Sequence, residues 1–144
     1  MSVFNSMQIN ASGLTLERLK MDTISTNIAN VNTTRTEEGG PYRRRDVIFQ
    51  EALIRERNKV TGKMERKSVG VRVTGIEEDD VNFKYTYDPN HPDADVDGYV
   101  AKPNVNMVDE MIALINTQRT YEANITALNT SKSILKKTLE ISKG

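Results

Sequence analysis

The chain of 144 residues contains no cysteine and no tryptophan, and only one histidine, His91. Disulfides, zinc–thiolate sites and thiol nucleophiles are excluded together. Net charge is also missing: 20 Lys/Arg balance 20 Asp/Glu, which argues against a dedicated nucleic-acid binder or a polybasic membrane anchor. No apolar run approaches the roughly 20 residues of a membrane span. The opening "MSVFNSMQIN" lacks the basic start and apolar stretch of a cleaved signal peptide. By default that places the chain in the cytoplasm, unless it leaves by a route that uses no cleaved signal. The length suits one domain able to bury a core.

Charge is distributed unevenly. Residues 35–102 hold 13 Lys/Arg and 14 Asp/Glu, and residues 1–16 hold none. An ordinary surface helix has a charged outer face. Neutral flanks therefore predict helices surrounded by protein on more than one side. The expected organisation is a discontinuous terminal-helix domain, 1–34 with 103–144, around a charged middle segment, 35–102.

The C-terminal flank has the clearest period. Met107, Met111, Leu114, Gln118, Tyr121, Ile125, Leu128, Lys132, Leu135 and Leu139 alternate spacings of four and three, as a coiled-coil seam does. Pro103 and Asn104 precede it, Asp109 and Glu110 suit the positive end of the helix dipole, and Lys136, Lys137 and Lys143 suit the negative end. A helix over 105–142 would be about 55 Å long, too long for burial in one compact domain. A second apolar line, Val108, Ile112, Ile115, Ala127, Ile134 and Ile141, gives it more adhesive surface than one partner covers. In the N-terminal flank Phe4, Met7, Ala11, Leu14, Met21 and Ile28 fit the same heptad, Ile24 and Val31 widen the stripe, and Leu16 and Leu19 lie off it. Ser12-Gly13 in mid-helix costs roughly 1 kcal/mol for the glycine, which predicts a close backbone approach there. The fold expected is mainly α with a small β region, the two terminal helices pairing as a coiled coil.

Between the helices the period changes to two. "VGVRVTGI" (69–76) and "VNFKYTY" (81–87) predict a β-hairpin closed by the acids Glu77 to Asp80. "DVIFQEALI" (46–54) reads as a third strand or a short helix, after a break at Gly39-Gly40-Pro41.

Three features of the middle segment invite chemistry. Asp93, Asp95, Asp97 and Gly98 follow the opening of a calcium loop, but its twelfth position is Asn104 instead of a bidentate glutamate and flanking helices are absent. A turn held by aspartate side chains is the simpler reading. His91, between Asn90 and Pro92, reads as a turn residue. Arg43–Arg45 could meet an anion, yet no Gly-rich phosphate loop or interleaved aromatics accompany it. No nucleophile–base pair or paired-acid pocket nominates an enzyme, and no cofactor or metal is implied. A helical binding adaptor using the calcium-like loop or the arginine run is the alternative function.

The stretch "NIANVNTTRT" (27–36) ends the first helix with Asn27, Asn30 and Asn32, although asparagine is a poor helix former. With "INASGL" before it, this region resembles the N-terminal signature of bacterial flagellar rod and hook proteins. "RTEEGGPYRRRDVIFQE" (35–51), "YDPNHPDADVDGYVAKPNVN" (87–106) and "RTYEANITALNTSKSILKKTLEI" (119–141) resemble the proximal rod members of that family. The resemblance spans roughly 1–50 and 85–144. It implies a structural subunit of the basal-body rod, outside the cytoplasmic membrane, that assembles with copies of itself and other rod proteins. It further implies export by the flagellar type III apparatus, a hollow helical shaft, and no direct membrane insertion. Asn30 and Asn32 would then cap the turn and Asn27 would hydrogen-bond across a subunit contact. The expected assembly interface is Met7, Leu14, Met21, Asn27, Ile28, Asn30, Met111, Leu114, Tyr121, Ile125, Leu128 and Leu135.

Overall fold

The computed structural model describes residues 3–57 and 62–141. Six elements follow in order: helix α1 (Val3–Ala29), strands β1 (Arg45–Arg57), β2 (Met64–Glu78), β3 (Lys84–Tyr87) and β4 (Tyr99–Lys102), and helix α2 (Met107–Ile141). The architecture is mainly helical with a small β region, as the period changes predict. Lys143 and Gly144 lie outside the described residues.

The ends of the helices follow from local chemistry. Asn106 caps α2: its Oδ1 accepts the Val108 N–H at 3.1 Å and its Nδ2 donates to Asp109 at 2.7 Å. This places the start two residues later than the expected 105. At the end of α1, Asn30 Nδ2 donates to the Thr26 carbonyl and Asn30 Oδ1 accepts the Thr33 hydroxyl, while Thr33 N–H bonds the Asn30 carbonyl. Asn30 thus satisfies carbonyls that a helix end leaves open.

The strand pairing differs from the expected hairpin. β1 and β2 form one two-stranded sheet, and β3 pairs antiparallel with β4 in another, with Lys84 opposite Lys102 and Tyr87 opposite Tyr99. The segment 46–54 is strand, and 77–80 is not a hairpin loop. The physical reason lies in Asp79. Its N–H donates to the Arg44 carbonyl, its carbonyl accepts from Asn104 Nδ2, and its carboxylate accepts the Val81 N–H. The chain leaving β2 is therefore tied to Arg44 and Asn104, and β3 finds β4 instead.

The chain divides into two compact units, and α1, β1, β2 and α2 each contribute to both. The first unit comprises 1–19, 48–75 and 117–144. There Ser12 Oγ donates to the Ile9 carbonyl and accepts the Val71 N–H at 3.1 Å. Gly70, at φ +117°, leaves room for that approach; a side-chain carbon on it would collide with Ser12 Oγ. Gly13 faces the Asn124 side chain. The close backbone approach expected at Ser12-Gly13 is thus that of β2, met by Ser12. Leu16, expected to lie off the apolar stripe, is buried.

The second unit comprises 20–47 and 76–116. Tyr42, Val47, Val100 and Val105 form its apolar interior, beside buried Thr23, Asn27 and Glu110. Tyr87 and Tyr99 meet edge to face, 5.4 Å between centroids, closing the β3–β4 turn.

Along α2 the sheltered positions are Glu110, Ala113, Leu114, Thr117, Tyr121, Asn124, Leu128, Ser131 and Leu135. Leu114, Tyr121, Leu128 and Leu135 belong to the expected seam. Its other apolar members, Met107, Met111, Ile125 and Leu139, are exposed. The spacing is right and one half of the register differs. Small or polar residues occupy the alternate layer, where a long side chain would hold the helix away from its neighbours.

Candidate functional site

A buried polar network lies in the second unit, and the helix-ending asparagine is at its centre. Asn27 is fully buried, and an asparagine amide has two N–H donors and an oxygen with two lone pairs. All four are used. Nδ2 donates to the Arg45 carbonyl at 2.9 Å and to Glu110 Oε2 at 3.0 Å. Oδ1 accepts the Arg45 N–H at 3.0 Å and the Tyr42 hydroxyl at 2.9 Å. In the single chain every hydrogen bond of Asn27 is made internally.

Glu110 extends the network. Buried at 2% exposure, its carboxylate accepts from Asn27 on one oxygen and from Arg44 Nε at 2.6 Å on the other. Arg44 also meets Asp46 at 3.1 Å and Asp79 at 3.7 Å, and its backbone N–H donates to Asn104 Oδ1 at 2.8 Å. A buried carboxylate is tolerable only when paired and hydrogen-bonded on both oxygens. Burial works to lower the pKa of Arg44, but the hydrogen bond and charge of Glu110, with Asp46, outweigh it and hold the guanidinium above its ordinary value. Burial likewise pushes the Tyr42 phenol up, against the lowering effect of Arg45. Among the described residues no buried side-chain nitrogen or oxygen lacks a partner.

The other candidate features are engaged inside the chain. Arg43 stacks over Phe83 at 4.4 Å, and Arg45 binds Glu78 at 3.0 Å, which raises its pKa. The arginine run is therefore spent on intrachain partners. In the calcium-like loop Asp95 Oδ1 accepts the N–H groups of Asp97 and Tyr99, and Asp93 accepts the Thr34 hydroxyl at 2.8 Å. His91 Nδ1 accepts the Asp93 N–H. These carboxylates brace a turn, and Asp93 ties it to the segment after α1.

Of the expected interface residues, Met111 and Ile125 are exposed, and Met7, Leu14, Met21, Ile28, Asn30, Leu114, Tyr121, Leu128 and Leu135 are half-buried. Asn27 alone is wholly interior. Sequence reasoning missed Tyr42, Arg44, Asn104 and Glu110 as a group. Glu110 was legible as an acid lying four residues before Leu114, on the seam's own spacing.

Residues 7–35 match the family described as flagella basal body rod protein, and residues 96–141 match the flagellar basal body rod FlgEFG protein C-terminal family. The two matches cover the end of α1 with its asparagines and the whole of α2. The chain is 43% identical to the flagellar basal-body rod protein FlgC of Bacillus subtilis, over 99% of this chain and all of that protein. It is 44% identical to FlgC of Borreliella burgdorferi over the full length of both, and 35% identical to FlgC of Salmonella typhimurium over 98% of each. The chain belongs to the flagellar basal-body rod proteins, and within them to the FlgC family. It is a structural subunit of the rod, located in the basal body of the bacterial flagellum.

Proposed function

We propose that the chain builds the proximal part of the rod, joining copies of itself and other rod proteins in a hollow helical shaft after export through the flagellar type III apparatus. It acts by packing and does no catalysis. The observation that carries this reading is the surface of α2. Met107, Val108, Met111, Ile112, Ile115, Ile134, Leu139 and Ile141 are all exposed by about half or more, a larger apolar surface than a helix keeps toward water. Its polar residues are prepared for burial too. Thr126, Thr130 and Thr138 donate their hydroxyls to carbonyls one turn back, as Thr15 and Thr26 do in α1. A hydroxyl satisfied by its own helix can be covered by a neighbour without leaving an unpaired donor. In the assembly the terminal segments, 1–34 and 103–144, work as a coiled-coil layer built on α1 and α2, with Met7, Leu14, Met21, Asn27, Ile28, Asn30, Leu114, Tyr121, Leu128 and Leu135 along its seam and Met111 and Ile125 on its outer contacts.

Leu14→Asp and Leu128→Asp test this in a motile cell. A carboxylate in a desolvated seam is strongly unfavourable, so either variant abolishes swimming while export of the chain continues. Normal swimming in either variant would show that the seam does not hold the rod together.

A further inference from the structure

In a chain without cysteine, oxidation falls first on methionine. Two methionines lie one helical turn apart at the start of α2. Met107 and Met111 are 47% and 50% exposed, whereas Met21, the other methionine of the second unit, is half-buried. With Val108, Ile112 and Ile115, also exposed, they form one apolar stripe. At about 100° per residue the five fall within roughly 140° of the helix circumference. The acids of the same turns lie off it. Glu110 is held inside by Asn27 and Arg44, and Asp109 accepts from Asn106 Nδ2.

We infer that Met107 and Met111 are an oxidation site: hydrogen peroxide converts them to sulfoxides in the unassembled chain, and the sulfoxides bar this stripe from packing. The inference rests on the reading of the chain as a subunit that assembles through α2, and adds a modification that controls that step. The thioether sulfur attacks one peroxide oxygen. A sulfur–oxygen bond forms as the oxygen–oxygen bond breaks, sulfur gives up two electrons, and the other oxygen leaves as water with both protons. A flexible apolar side chain thereby gains a polar acceptor oxygen. Backbone donors close by are already taken: Asn106 Oδ1 accepts the Val108 N–H and the Asn106 carbonyl accepts the Glu110 N–H. A covered sulfoxide therefore carries an unpaired acceptor into an apolar contact, which is unfavourable. Thr126, Thr130 and Thr138 differ, because their hydroxyls are satisfied within α2. Once the stripe is packed its sulfurs are shielded, so the modification acts before assembly.

Peroxide treatment of the dilute full chain, with sulfoxides assigned by tandem mass spectrometry, tests the site. Met107 and Met111 oxidise at least about fivefold faster than Met21, because reaction follows exposure. Equal rates would overturn the site. Complementation of a strain lacking its own copy of the gene tests the consequence. Met107→Leu with Met111→Leu keeps an apolar stripe that cannot oxidise, and swims like the parent. Met107→Gln with Met111→Gln puts a polar amide where the sulfoxide would stand, and swims at most about a tenth as far. A glutamine pair that swims like the leucine pair would overturn the effect on packing. A third measurement needs no variant. In peroxide-treated cells, chain recovered from basal bodies carries at least about tenfold less sulfoxide at 107 and 111 than unassembled chain; equal fractions would overturn the inference even where a variant misfolds. Failure of the unmodified chain to restore swimming would instead contradict the rod reading, and the peroxide mapping would still decide the oxidation site.

Discussion

The second unit closes its own interior, whereas the first leaves its interior half built. Among the described residues four of the five buried apolar side chains, Tyr42, Val47, Val100 and Val105, lie in the second unit, and Leu16 lies in the first. The second unit adds the Asn27–Tyr42–Glu110–Arg44 network, in which every buried polar atom is partnered. The first unit has Ser12 on Val71, Thr74 on the Ile48 carbonyl and an Asn5–Ser68 contact at 3.5 Å, beside buried Glu17 and Thr117. The contrast predicts where neighbours are needed. A subunit whose one part folds alone and whose other part is finished by assembly stays unpolymerised when dilute and becomes rigid when packed.

The contrast breaks most severely at Asn27. Asn27→Ala orphans the Tyr42 hydroxyl, both backbone groups of Arg45 and one bond of Glu110 in a buried site. Each such group costs about 1–3 kcal/mol, so the second unit loses about 3–5 kcal/mol after partial relaxation. Four of the five tyrosines, Tyr42, Tyr85, Tyr87 and Tyr99, lie in that unit, which makes tyrosine fluorescence in urea the natural readout. An unchanged urea midpoint would remove the network from the account.

A smaller effect is expected at Gly70. Gly70→Ala forces a side chain into positive φ and against Ser12 Oγ, at a cost of about 2 kcal/mol, and breaks the Ser12–Val71 bond. The loss falls on the first unit alone. Tyrosine fluorescence in the second unit holds its midpoint while assembly weakens. A parallel loss in both units would merge them into one.

The smallest effect is expected in the 93–97 loop. Asparagine keeps the side-chain oxygens that accept from Thr34, Asp97 and Tyr99, so Asp93→Asn with Asp95→Asn and Asp97→Asn changes stability by under about 1 kcal/mol. Swimming continues nearly as in the parent. A failed rod, with calcium stabilising only the parent chain, would revive the metal reading of this loop.

The long features were legible in the sequence, and the network was not. Heptad spacing found both helices because burial on one side repeats every three to four residues whatever the partner. Half of the α2 register was missed because Thr117, Asn124 and Ser131 shelter positions that apolarity does not mark. The predicted hairpin between 69–76 and 81–87 failed because alternation identifies strands without their partners; the bonds of Asp79 to Arg44 and Asn104 decide the pairing. Asn27 announced itself as a poor helix residue in a good helix. Its three partner residues, Tyr42, Arg45 and Glu110, lie up to 83 residues away, and no local pattern names them.

The account's central claim is that the second unit is complete in one chain and the first is completed by neighbours. Amide hydrogen exchange on the dilute, unassembled chain reads this directly. Slow exchange is expected in 20–29, 99–102 and 107–116, with fast exchange in 3–19 and 117–141. The change from fast to slow falls within each helix, near residues 19 and 117. Uniform protection from residue 5 to residue 140 in the dilute chain would contradict the claim.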